Sequence, residues 1–115
     1  MSKSETFPVQ TGDLLKGEAL PLSRRVVRVT PGTKAGQLVK YTLRKGNPWL
    51  VALTDEMNGE VVVQPHNCVI NLDYVAESEI TGKKVNEAAA ANMTVDDFIA
   101  DGDAYGIVYV GTPYK

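Results

Sequence analysis

The sequence predicts a mainly β domain with one short α insertion, and three observations carry the prediction. Apolar and polar residues alternate in short runs, most clearly at Cys68, Ile70, Leu72 and Tyr74 against Asn67, Asn71 and Asp73. Turn-forming clusters separate the runs, at Pro31-Gly32, Lys45-Gly46-Asn47-Pro48 and Asn58-Gly59. Only the segment from Thr94 to Gly102 joins a capping residue to helical apolar spacing. At 115 residues the chain fits one domain with one modest core. Its 43% hydrophobic and 23% charged residues are globular values and exclude wholesale disorder.

The chain divides into an extended N-terminal arm, residues 1–22, and a β-rich body, residues 23–115. Pro8 and Pro21 fix the backbone and remove N–H donors, and Gly12 and Gly17 add no hydrophobic period. Within the arm Phe7 and Val9 alternate with Thr6, Pro8 and Gln10, a pattern suited to a strand that pairs with another molecule.

In the body, Val27 and Val29 alternate with Arg28 and Thr30. Val39, Tyr41 and Leu43 form one face of a second strand. Trp49 to Leu53 is apolar on both faces and reads as a buried central strand. Asn58-Gly59 favours a tight hairpin turn ahead of Glu60 to Val63, because both residues tolerate positive φ. In the Cys68 to Tyr74 run a one-residue slip would bury three polar groups, so its register is well specified. A last strand spans Tyr105 to Val110. The helix begins at a Thr94 cap, carries Asp96 and Asp97 in its positive first turn, and is expected to end at Gly102. Val95, Phe98 and Ile99 give it an apolar stripe, and Glu87 to Ala91 offers a further helical turn.

Candidate chemistry is sparse. His66 is the only histidine, and no nucleophile accompanies it in a motif. Cys68 is the only cysteine, which excludes an internal disulfide, and it falls on the apolar face of its strand. Asp96, Asp97, Asp101 and Asp103 cluster, but without the glycine and terminal glutamate of a calcium loop. No metal or cofactor site and no catalytic set is expected. Arg24, Arg25 and Arg28 form the basic cluster and read as a solvated edge or as a subunit or protein contact, since a net charge of −2 argues against nucleic acid. The longest apolar run, Trp49 to Leu53, is far short of a membrane span, and the polar start resembles no signal peptide. A chain found where it is made, in a cytoplasm, or wherever assembly later carries it, is the expectation.

The order of features resembles the tailed-phage head decoration proteins of the lambda type. Gly12-Asp13-Leu14-Leu15, a strand ending Val29-Thr30-Pro31-Gly32, and Lys34-Ala35-Gly36-Gln37-Leu38-Val39 resemble the opening of that family. Trp49-Leu50-Val51-Ala52-Leu53-Thr54 is similar to its buried strand. Gly82-Lys83-Lys84-Val85-Asn86-Glu87-Ala88 is similar to its Gly-x-x-aromatic-Asn-Glu segment, with Val85 in the aromatic place. Phe98-Ile99 and Gly106-Ile107-Val108-Tyr109 resemble its closing helix and strand. The resemblance runs from about Gly12 to Val110; the Gly102 to Ala104 linker departs from it in lacking basic residues.

The resemblance implies a small β-barrel or tulip-like domain that sits on the outer surface of an expanded capsid and stabilises it against internal DNA pressure. It implies the major capsid protein as partner, a homotrimer at threefold or quasi-threefold axes, and no nucleic-acid or membrane partner. Thr6, Phe7, Pro8, Val9 and Gln10 are then the arm residues that add a strand to the coat protein. Made in the host cytoplasm, such a chain ends in the virion. Two other readings stay open: another small β-barrel virion component, such as a head-completion or tail protein, and a small enzyme or ligand-binding domain.

Overall fold

Alternation at this density, broken every few residues by turns, produces short strands rather than long ones. A computed structural model describes residues 9–19, 24–42, 46–86 and 88–115 of the chain. Among these the order is α1 (Thr11–Leu14), β1 (Leu15–Glu18), β2 (Arg25–Arg28), β3 (Leu38–Lys40), β4 (Trp49–Val51), β5 (Glu60–Val63) and β6 (Cys68–Asn71). A 3-10 turn (Leu72–Tyr74), α2 (Glu77–Thr81), α3 (Val95–Asp103) and β7 (Ile107–Val110) complete it. The domain is small and sheet-rich, as the alternation predicts.

The strands form a three-stranded sheet in the order β1-β6-β7 and two ladders, β2-β5 and β3-β4. β6 is central, antiparallel to β1 and parallel to β7. A parallel neighbour needs a long crossover, and here the 3-10 turn, α2 and α3 supply it. No closed barrel forms among the described residues, because the three-stranded sheet ends in two edges, β1 and β7. The run after β4 does not continue as a central strand either. Ala52 donates to the Gln37 carbonyl at 2.8 Å, while Leu53 donates to Val62 at 2.8 Å, so the chain passes from one ladder to the other.

All three sheets enclose one core, in which Leu14, Leu50, Leu53, Val63, Leu72, Ile80, Phe98 and Ile107 are at most 1% exposed. Side chains buried to this degree each contribute roughly 1.5–3 kcal/mol through loss of apolar surface to water. The Cys68, Ile70, Leu72 face lies in this core as its alternation requires. The chain leaves the strand only when Asn71 turns its side chain to accept from the Asp73 N–H at 3.0 Å.

The boundary expected at residue 22 gives way for residues 9–19, which belong to the body. Leu14 is wholly buried, β1 pairs with β6, and Thr11 Oγ1 donates to the Leu53 carbonyl at 2.8 Å. One helical turn and one four-residue strand are each too short to show a period, so glycine and proline content dominated the sequence reading. Thr6, Phe7 and Pro8 lie outside the described residues.

α3 has the expected start. Asp97 N–H donates to Thr94 Oγ1 at 3.1 Å and Thr94 N–H to Asp97 Oδ2 at 2.9 Å, a reciprocal capping box. Its expected end is wrong: Gly102 lies inside the helix, buried, and the helix runs on to Asp103. Residues 88–91 hold no helix; instead the Asn86 side chain and carbonyl take the Ala88 and Ala89 N–H groups in a turn. The hairpin turn holds, with Asn58 at φ 55° and Gly59 at φ 81° between paired Met57 and Glu60.

Candidate interaction surface

Val9 and Gln10 are fastened to the body. Val9 packs against the core, and Gln10 is exposed while its N–H donates to Asp13 Oδ2 at 2.9 Å. Asn71 Nδ2 donates to the Asp13 carbonyl at 3.3 Å, which ties α1 to the central strand.

The three arginines do not form one patch. Arg24 clasps Glu18, with its Nε 3.0 Å from Oε2 and a second contact from its Nη2 to Oε1. Gln64, only 3% exposed, donates to the same carboxylate at 2.8 Å. The Arg24 hydrogen bond chiefly holds Glu18 below the usual carboxylate range; burial opposes it and Gln64 assists. Arg24 thus closes the body between β1 and β2. Along β2 the strand period puts Arg28 beside exposed Val26 and places Arg25 on the opposite face with half-buried Val27.

The two edges of the three-stranded sheet differ in kind. β1 carries a register irregularity between Leu15 and Gly17 and the charges of Lys16 and Glu18, features that guard an edge against further pairing. β7 reads Ile107-Val108-Tyr109-Val110, with no charge, proline or irregular pairing against β6. Its Val108 and Val110 are 51% and 41% exposed on the outer face. Beside them Gly17, Val69 and Gly106 line a shallow depression of about 340 Å³. The inner face of the same strand is sealed: the Tyr109 ring packs on Phe98 at a centroid distance of 4.5 Å.

A cleft of about 610 Å³ lies among Lys40, Asn47, Val85, Asn86, Asp101 and Tyr105. Lys40 Nζ is committed to the Asn47 carbonyl at 3.0 Å and the Val85 carbonyl at 3.3 Å. Burial raises the Asp101 carboxyl above its ordinary value, with Lys40 acting the other way. Tyr105 is raised too, by burial first and the nearby Asp101 second.

Neither His66 nor Cys68 lines that cleft. His66 is half-buried, and its Nδ1 is enclosed without a hydrogen-bond partner. Burial pushes the Cys68 thiol up to about 12, and Glu18 adds to the shift. Asp97 is spent in the capping box, and no group of three or more His, Cys, Asp or Glu among the described residues could hold a metal ion. No helix among them is long and apolar enough to cross a membrane.

Sequence reasoning missed the contrast between the two edges, since it requires knowing that β7 pairs on one side only. The signal available was a run of four uncharged residues between Gly106 and Gly111. Comparison with family models, with curated proteins and with solved structures finds no match for this chain.

Proposed function

We propose that this protein is a structural component that binds the outer surface of an expanded phage capsid and cements it. The observation that carries the reading is the uncharged β7 edge, which among the described residues pairs only with β6 and exposes Val108 and Val110, set against a charged and irregular β1. Folded monomers protect such edges, so an apolar one is best explained by a partner that covers it. Motif order along the sequence supports the family, and three sheets around one core are compatible with a tulip-like decoration domain.

In this reading the residues ahead of Val9, Thr6 to Pro8 among them, add to a coat-protein strand through main-chain hydrogen bonds, because Val9 and the Gln10 N–H are already held by the body. Ordering an arm costs roughly 1–2 kcal/mol per residue. Val9 and the Asp13 contacts reduce the chain length that must be ordered by fixing its origin. Trimeric copies on a symmetric lattice offset the remainder through multivalency. A ligand that prefers the expanded shell lowers the free energy of that shell relative to its precursor, so no chemistry is required.

Co-sedimentation with expanded and precursor shells tests this. Saturable binding to expanded shells alone is expected, and equal binding to both forms would remove the link to maturation. Deleting residues 1–8 is expected to leave a folded body with much weaker shell binding.

A further inference from the structure

A second cleft, of about 380 Å³, opens between β2 and the β3–α2 region. Arg28, Thr33, Gln37, Lys40, Glu79 and Lys83 line it. Its single carboxylate is already engaged: Glu79 Oε1 accepts from the Leu38 N–H at 3.1 Å and from Lys83 Nζ at 3.5 Å. Arg28 has no hydrogen-bond or ion-pair partner among the described residues and is exposed. Lys40 lines both clefts, its Nζ resting on the Asn47 and Val85 carbonyls on the side of the first cleft, where Asp101 also lies. Three cations and one carboxylate line the cleft, with Glu60 directly opposite Arg28 on β5, so its lining is positive on a chain whose net charge is −2.

The cations are also held in place. Lys40 Nζ lies 4.7 Å and Lys83 Nζ 5.4 Å from the centroid of the Trp49 ring, and Trp49 Nε1 donates to the Lys84 carbonyl at 2.7 Å. A fixed ring that attracts both ammonium groups lowers the cost of ordering them around a ligand.

We propose that this cleft receives an acidic peptide segment of the capsid partner, its carboxylates meeting Arg28, Lys40 and Lys83. The partner's identity rests on the capsid reading; the preference for carboxylates rests on the cleft alone. An acidic polypeptide fits better than nucleic acid. The positive groups are confined to one cleft, whereas a phosphate backbone needs a continuing stripe and would meet the acidic remainder of the chain.

The test uses hexaglutamate with blocked termini, calorimetry for affinity and Trp49, the sole tryptophan, as an emission reporter. Saturable binding with an emission change is expected, weakening as salt rises. Arg28→Glu should weaken it at least tenfold. Arg28→Gln, which adds no repulsion opposite Glu60, should weaken it less. Arg28→Gln should melt with the wild type, since the side chain is exposed. Arg28→Glu should melt slightly below it, since two carboxylates then face each other across β2 and β5, so loss of binding is read at a temperature where both variants are folded. Absence of saturable binding, undiminished binding by Arg28→Glu, or tighter binding of an oligothymidylate of equal charge would each overturn the proposal. Shell binding separates the two readings. A chain that binds hexaglutamate and ignores expanded shells retains the cleft and loses the capsid. A chain that binds shells equally well with Arg28→Glu loses the cleft and retains the capsid.

Discussion

Gly102 lies flat against the ring of Tyr109, so closely that a β-carbon on Gly102 would stand 2.5 Å from Tyr109 Cε2 and 3.0 Å from the Ile107 carbonyl oxygen. This contact is how α3 docks on β7. Tyr109 cannot yield, because its ring is stacked on Phe98 and its phenol is buried deeply enough to be pushed well above its ordinary value.

Gly102→Ala therefore sets two effects against each other. Alanine gains roughly 1 kcal/mol in helix propensity over glycine. Overpacking a tight contact costs about 1–3 kcal/mol. With backbone as well as ring in the way, the second should win, and the urea midpoint should fall. A variant as stable as the wild type would mean that α3 and β7 separate more easily than the contact implies.

Glu18 makes stability depend on pH with a definite sign. Its folded value is depressed, chiefly by the Arg24 hydrogen bond, so its contribution is present above the unfolded value of about 4.3 and is lost as pH falls through the folded value. Glu18→Gln should be less stable than the wild type at pH 7, and the gap should narrow below pH 4. Urea unfolding at pH 7, 5 and 3 reads this directly. A gap independent of pH would assign the loss to packing alone.

Much of the sheet was legible because its period is local. Cys68, Ile70 and Leu72 announce their buried face within five residues, and Thr94 with Asp97 announces a helix start within four. What escaped depends on partners distant in sequence. Gly102 reads as a helix terminator by composition, and only the approach of Tyr109 explains why a glycine stands mid-helix. Leu14 reads as part of an arm, and only its neighbours from β4 onward make it core. The arginines were legible as a basic cluster but not as three separate roles. Arg24 is committed to Glu18, and strand period splits Arg25 from Arg28.

Cys68 should be inert while the protein is folded. Burial, which pushes its thiol up to about 12, leaves almost no thiolate at pH 8, and thiolate is the reacting form. An aromatic disulfide reagent should label the native protein only as fast as it opens, and the urea-unfolded protein at once. Rapid labelling in the native state would place Cys68 at the surface and undo the packing of β6.

Val108→Lys tests the β7 edge without disturbing what β7 packs on. The side chain is 51% exposed, and the inner face of the strand is made by Ile107 and Tyr109, so the melting temperature should change little. A lysine on an open edge is the feature that natural sheets use to block strand addition. Binding to expanded shells should drop at least tenfold, while Val108→Thr, which keeps β-branching without charge, should retain most of it. Should Val108→Lys bind shells like the wild type, the β7 edge would face solvent on the particle, and the contact would have to be made by the arm or by the cleft at Arg28.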